Sequence, residues 1–194
     1  MKYLVQILLG VLFIYFVHNK RNISFESKSN EVSVERKLGT STDPNQVDFY
    51  IRPIGDVSDE MLVESKKVLE DFYGYNCEIR RGINLTDEMK IENTDQIINA
   101  QATIRQLNGN TKTIFLVNKK LWYINKEVRG LTDGSTIVIR AKQSILRETL
   151  IHEVGHTLGL EHCDDLGCIM AINNDEYETG KFCKKCRNKL KTYE

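Results

Sequence analysis

Residues 150–170 read LIHEVGHTLGLEHCDDLGCIM, and the pattern of histidines and glycines in this stretch decides what fold we expect. His152 and His156 are four residues apart, which on a helix places both imidazoles on one face about a turn from each other. Gly159 follows three residues later, where a glycine can adopt the left-handed conformation that ends a helix. His162 can then turn back toward the first two histidines. The stretch therefore predicts a helix that ends in a three-histidine cluster.

Three neutral imidazoles are a suitable ligand set for a catalytic zinc ion, because they leave the metal its double charge and an open position for water. Glu153, next to the first histidine, is placed to take a proton from that water. The alternative is that these are ordinary polar residues of a helix. The chain has only four histidines, and His18 is the only one outside the motif, which favours a metal site.

The segment HEVGHTLGLEH resembles the extended HExxHxxGxxH signature of the metzincin clan of zinc metallopeptidases. Its continuation is narrower, because a cysteine follows the third histidine directly and further cysteines flank a methionine. This order resembles the archaemetzincins. It is formed by Cys163, Cys168, Met170, Cys183 and Cys186.

The resemblance implies two zinc ions per chain and a Met-turn. It implies that His152, His156 and His162 bind the catalytic zinc, and that Met170 forms the turn beneath that metal. It also implies that the four cysteines of the C-terminal region bind a structural zinc. Twelve residues separate Met170 from Cys183, fewer than is usual in that family.

The spacing of these four cysteines, C-x4-C followed by C-x2-C, also suits tetrahedral thiolate coordination without reference to any family. Two disulfides are the alternative, which an oxidising compartment would favour. Cys77 is left over, and we expect it to be a small buried hydrophobic residue on a strand.

The motif predicts a zinc metallopeptidase that hydrolyses peptide bonds by attack of zinc-bound water, with Glu153 as general base. The resemblance places an extended peptide substrate along an edge strand, which we assign to residues 127–131. Tyr177 could support the transition state or merely pack. The alternative function is a non-catalytic binding module, stabilised by zinc on a peptidase fold.

The chain around the motif predicts an α+β fold, with a metzincin-like mixed twisted sheet, packed helices, the active-site helix and a small C-terminal zinc-binding lobe. Turn signals and apolar patterns predict the elements. Strands are expected at residues 47–54, 77–80 and 113–117 and in a hairpin formed by residues 127–131 and 135–140, and helices at residues 58–73, 95–107 and 142–160.

Twenty-seven basic and twenty-seven acidic residues give a formal net charge of zero. The chain therefore lacks the global positive field that would attract nucleic acid, which we exclude as the main partner. A length of 194 residues is about that of one domain, and we expect a monomer.

Residues 4–17 read LVQILLGVLFIYFV, an apolar run that would span roughly 21 Å as a helix. This is nearer the length of a signal-peptide apolar region than of a membrane span. We expect an exported protein with the segment either cleaved or retained as a membrane anchor, and a cytoplasmic protein as the alternative. The predicted organisation is a hydrophobic segment over residues 1–21, a polar linker over 22–45 and a peptidase domain over 46–194.

Overall fold

The structure is a computed structural model, and it describes residues 46–91, 94–172 and 180–191. The predicted hydrophobic segment and polar linker lie outside these residues. The domain boundaries drawn from the sequence therefore stay predictions.

Five strands form the larger sheet, in the order β2-β1-β5-β9-β8. The first four strands of this order are parallel, and β8 pairs antiparallel with β9. The bounds are β1 Phe49–Ile54, β2 Cys77–Ile79, β5 Thr113–Val117, β8 Gly130–Asp133 and β9 Thr136–Arg140.

A second sheet of four strands has the order β3-β4-β6-β7. Its strands β4 and β6 are parallel, and β3 and β7 pair antiparallel at the two sides. The bounds are β3 Lys90–Ile91, β4 Thr94–Asn99, β6 Lys120–Tyr123 and β7 Lys126–Val128.

In the described part of the chain, four α-helices pack on this framework: α1 Asp59–Tyr73, α2 Ala100–Leu107, α3 Leu146–Thr157 and α4 Lys184–Lys191. Helix α1 ends at Gly74, which has a φ of 75°, as the sequence predicted. The mixture of strands and helices confirms the predicted α+β class. A short 3₁₀ helix, Asp87–Met89, precedes β3.

Alternate residues of the central strands serve two cores, one on each face of the larger sheet. In β5, Ile114 and Leu116 belong to the core shared with α1, α3 and α4. Phe115 and Val117 point the other way, into a core shared with α2 and the second sheet. Because both faces are covered, only an edge of this sheet can take part in an open cleft.

Two predicted elements are wrong. Residues 95–107 were expected to be one helix, but their first part forms β4 and only Ala100–Leu107 is helical. The single edge strand expected at residues 127–131 is in fact two strands. Lys126–Val128 belongs to the second sheet, and Gly130–Asp133 is the last strand in the order of the larger sheet. The Asp133-Gly134 turn into β9 is as predicted, with a φ of 58° at Gly134.

The predicted localisation is also wrong. Among the residues that the structure describes, no helix combines the length and apolar character needed to cross a membrane. Residues 4–17, from which export or membrane anchoring was inferred, lie outside those residues. The expectation of an exported or anchored protein is therefore withdrawn.

Candidate active site

Helix α3 places His152, Glu153 and His156 beside β8, the last strand in the order of the larger sheet. The helix lies deep in the molecule, and His152 and Glu153 are both buried although they are polar. From α1, the hydroxyl of Tyr73 donates a hydrogen bond to the backbone carbonyl of Ile151, at 2.7 Å. This hydrogen bond fixes the position of α3 against the core one residue before His152.

The end of α3 turns the chain as the sequence predicted. Gly159 has a φ of 79°, in the left-handed region that favours glycine. Its amide donates to the carbonyl of His156, and the amide of Leu160 donates to the carbonyl of Gly155, the two hydrogen bonds of a Schellman motif. This turn returns the chain so that His162 faces the helix.

The three predicted histidines come together. Their candidate ligand nitrogens all lie within 4.8 Å of one another. His152 Nε2 and His156 Nε2 are 3.1 Å apart. The exposure of the three rings rises from the buried His152 through His156 to the exposed His162, so the cluster opens to solvent on one side.

Backbone carbonyls fix the tautomers of two of these rings. Nδ1 of His152 lies 2.7 Å from the carbonyl oxygen of Ile169, and Nδ1 of His156 lies 2.8 Å from that of Leu160. A carbonyl oxygen only accepts, so each Nδ1 carries the proton and each Nε2 presents its lone pair. Burial, reinforced by the neighbouring His156 and His162, lowers the pKa of His152 to about 4, which keeps the ring neutral.

This donor set fits zinc. Tetrahedral zinc with bonds of about 2.0–2.1 Å to nitrogen has ligand nitrogens about 3.3 Å apart. The Nε2 atoms of His152 and His156 are already close to that separation and are both acceptors, a pairing that a cation between them would satisfy.

Glu153 is 6% exposed, and its carboxylate lies against β8. The hydroxyl of Thr132 donates to Glu153 Oε2 at 2.5 Å and lies 3.2 Å from the Glu153 carbonyl oxygen. Burial raises the pKa of Glu153 to about 7, and the hydrogen bond from Thr132 acts in the opposite direction. The orientation of the carboxylate is therefore set by its hydrogen bond to β8, because little of it is exposed to water.

A cleft of about 780 Å³ joins these groups. Strands β7 and β8 form one wall, and α3 with the turn after it forms the other. Burial is the main cause of the lowered pKa values of His162 and His152. Nearby positive charge adds to this effect, from Lys126 at His162 and from Arg129 at His152.

The four cysteines form a second cluster. Their sulfur atoms all lie within 4.8 Å of one another, and all five cysteines of the chain are free thiols. The Sγ atoms of Cys163 and Cys183 are 3.7 Å apart, as are those of Cys168 and Cys186.

These distances match a tetrahedral zinc site better than disulfides. Zinc–sulfur bonds of about 2.3 Å give sulfur atoms about 3.8 Å apart, whereas a disulfide bond is about 2.04 Å long. The amide of Cys183 donates to Cys168 Sγ, and that of Cys186 to Cys183 Sγ, both favouring thiolate. Cys77, in contrast, is buried on β2 away from the cluster, as predicted.

Met170 and Ile169 connect the two clusters. Met170 is fully buried, and a Cβ atom on Gly155 would lie 2.7 Å from its sulfur, so the helix has a glycine where the methionine packs. The amide of Ile169 donates to the carbonyl of Lys181 at 2.9 Å, while its own carbonyl accepts from His152. Tyr177, also considered from the sequence, lies outside the described residues.

The model of Peptidase family M54 matches residues 96–192 of this chain. The archaemetzincin of Methanocaldococcus jannaschii is 30% identical over 168 residues, which cover 72% of this chain and 90% of that protein. The chain belongs to peptidase family M54, the archaemetzincins. The family membership predicted from the histidines and cysteines is thereby confirmed, and the chain is a zinc metallopeptidase.

Solved structures of family M54 show the same fold. The archaemetzincin of Archaeoglobus fulgidus has a TM-score of 0.63 and 21% identity, covering 73% of this chain and 98% of that one. The archaemetzincin of Methanopyrus kandleri has a TM-score of 0.62 and 17% identity, covering 78% of this chain and 98% of that one. The metzincin-like fold that the sequence predicted is confirmed.

Sequence reasoning did not find the groups that hold these side chains. Thr132 and Gly130 touch Glu153 from a strand about twenty residues earlier, and the Ile169 and Leu160 groups that hold the histidines belong to the backbone. A backbone carbonyl has no signature in a sequence. Thr132 directly precedes the Asp133-Gly134 turn, and this turn signal does not indicate what the Thr132 hydroxyl contacts.

Proposed function

We propose that this M54 peptidase hydrolyses peptide bonds with Glu153 as the general base, at a zinc ion held by His152, His156 and His162. The observation that carries the proposal is the histidine cluster itself. Two of its rings present unprotonated Nε2 atoms 3.1 Å apart, and the exposed third ring opens the cluster into the cleft that also contains Glu153.

Zinc bound by the three histidines would supply Lewis-acid activation of the water and of the substrate carbonyl. Glu153 takes a proton from the attacking water and passes it to the leaving amine nitrogen. His152 and His156 keep their Nδ1 protons, which are donated to the backbone carbonyls of Ile169 and Leu160, so each Nε2 lone pair stays available to the metal.

Strand β8 provides the binding surface for the substrate in this proposal. Within the part of the chain described, it is the last strand of its sheet, paired with β9 on one side only. An extended peptide could add there as a further strand and gain main-chain hydrogen bonds. Gly130 and Thr132 of the same strand touch Glu153, so the scissile bond of such a peptide would pass beside the general base.

We further propose a second, structural zinc ion at the four cysteines, which gives two per chain. The separations of 3.7 Å between sulfur atoms and the amide hydrogen bonds to two of them support this assignment. Four thiolates leave no open position for water, so this ion would stabilise the fold without catalysing hydrolysis.

Replacing Glu153 with Gln tests the catalytic assignment. The amide keeps the size and hydrogen-bonding capacity of the side chain but cannot take a proton. We expect the variant to retain the parent's zinc content and to lose roughly 10²–10⁴-fold in kcat, because that is the usual contribution of general acid–base catalysis.

The assay is digestion of a broad peptide library by zinc-replete parent and variant, with cleavage products measured by mass spectrometry. Parental turnover in Glu153→Gln would contradict the general-base assignment. A zinc-replete parent that cleaves nothing in the library, with or without chelator, would instead support the non-catalytic binding module.

A further inference from the structure

Strand β8 touches the carboxylate of Glu153 at two alternate residues, Gly130 and Thr132. Successive side chains of a strand point to opposite faces, so these two share the face that looks at α3. Leu131, between them, points away and packs on the core beneath the second sheet. Pairing of Gly130 with Ile139 and of Thr132 with Ile137 in β9 fixes this register.

Thr132 holds one oxygen of the carboxylate. Its hydroxyl has a single proton, and the shorter contact, 2.5 Å to Oε2 against 3.2 Å to the backbone carbonyl, directs that proton to the carboxylate. Because β-branched threonine is restricted at χ1 and sits on a paired strand, the donor itself has little freedom.

Gly130 leaves room for the other oxygen. A Cβ atom at this position would lie 2.7 Å from Oε1 and Cγ of Glu153 and 2.9 Å from Cδ. Glycine is needed here for space, because any side chain would displace the carboxylate from the strand. Oε1 therefore lies beside bare backbone, on the strand where we expect the peptide to bind.

We propose that Thr132 is a positioning residue for the general base, and that Gly130 provides the space in which it acts. With Oε2 engaged by the Thr132 hydroxyl, Oε1 is the oxygen that takes the proton from water and releases it to the amine nitrogen. Substrate binding and base alignment then depend on the same strand. The inference rests on the proposed role of Glu153 and adds how that carboxylate is oriented.

The test compares Thr132→Val with Thr132→Ser. Valine keeps the β-branched shape and suits a strand but has no hydroxyl, whereas serine keeps the donor. We expect Thr132→Val to lower kcat roughly 10- to 100-fold, since a misplaced catalytic group costs about that much, with KM within about twofold and zinc content unchanged. Thr132→Ser should recover most of the lost kcat.

Thr103→Val is the matched control. Thr103 has a hydrogen-bonded hydroxyl like Thr132 but is fully buried, donates to the backbone carbonyl of Asn99, and lies on α2, outside the residues that line the cleft. The Thr103→Val variant shows how far the melting temperature falls when a buried hydroxyl that does not contact Glu153 is lost. Its kcat should equal the parent's. Gly130→Ala keeps the Thr132 donor but crowds Oε1, and it should also lower kcat.

Two results would overturn the inference alone: parental kcat in Thr132→Val while Glu153→Gln is inactive, or a Thr132→Ser variant as slow as Thr132→Val. In the second result the methyl group, and not the hydroxyl, would be what matters. Parental turnover in Glu153→Gln would instead overturn the general-base proposal, and this inference with it. The two failures are therefore distinguishable in one set of assays.

Discussion

His152 shows how a single residue can be prepared for metal binding before any metal arrives. Its Nδ1 lies 2.7 Å from the carbonyl oxygen of Ile169 and donates its proton to it, and burial keeps the ring neutral. A neutral imidazole with a fixed tautomer needs neither proton loss nor ring rotation to present Nε2. The residue's contribution therefore depends on a backbone group seventeen positions away in the chain.

Cys77 differs from the other four cysteines, because among the described residues it belongs to neither cluster of possible metal ligands, and burial is the main cause of its shifted pKa, with smaller effects from nearby charges. It is 1% exposed, and burial raises the pKa of its thiol to about 12. In the unfolded chain the pKa is about 8.5. As pH rises above about 8.5, the unfolded state ionises at this position while the folded state does not, so stability falls across the window from about 8.5 to 12.

We predict that Cys77→Ala removes this part of the alkaline destabilisation. The difference in free energy of unfolding between parent and variant should shift by about 1–2 kcal/mol in the variant's favour between pH 8 and pH 10. Denaturant unfolding of both proteins at the two pH values measures it. The other thiols are common to both proteins and cancel, so pH curves that run parallel would show that Cys77 does not carry this effect.

At the scale of elements, the segment after α3 links the two clusters in two places. His162 and Cys163 are neighbours in the chain, and the amide of Cys163 donates to the carbonyl of Met170. Cys168 directly precedes Ile169, whose carbonyl holds His152. A change in the cysteine cluster should therefore reach the histidines through the backbone.

We predict that Cys186→Ser lowers zinc affinity at the histidine site although Cys186, on α4, belongs to the cysteine cluster. Loss of one thiolate should loosen Cys168 and Ile169 and so the hydrogen bond to His152. Loss of such supporting contacts costs roughly 10- to 100-fold in metal affinity. Competition with a chelator, read by peptidase activity, measures the affinity. Cys77→Ala is the control, and parental affinity in Cys186→Ser would mean that the two sites are independent.

The elements also show how far sequence reasoning reaches. Helix α3 was predictable because its histidines, its apolar residues and Gly159 all agree on one helix and its end. It begins at Leu146 rather than near residue 142, since Lys142 and Ile145 form a turn first.

Strand β4 was mistaken for helix because its neighbour β3 is only two residues long and its parallel partner β6 lies far along the chain. The side chain of Asn99 accepts a hydrogen bond from the amide of Ala102, which starts α2 at Ala100 and leaves the preceding residues to pair with β3 and β6. The β6–β7 hairpin turns at Ile124 and Asn125, both with positive φ, where turns usually carry glycine. Because neither position is a glycine, the turn has no strong local signal in the sequence.

At the scale of the whole molecule, the C-terminal lobe that carries the four clustered cysteines packs into the core shared by the larger sheet, α1 and α3. Phe182 of the lobe packs edge-on against Phe72 of α1, with ring centroids 5.8 Å apart, and Leu190 of α4 lies in the same core. The histidine cluster, in contrast, opens to the cleft. The two proposed zinc ions should therefore differ in both lability and consequence.

The most direct test of the account is to follow zinc per chain, folding and peptide cleavage together while a mild chelator is added to the reduced protein. Native mass spectrometry counts the zinc, circular dichroism reports the fold, and a library peptide that the parent cleaves reports activity. We predict two zinc ions at the start. Loss of the first should abolish cleavage with the fold retained, because three histidines leave an exchangeable position that four thiolates do not. Full activity in protein that has lost one zinc ion and remains folded would contradict the account.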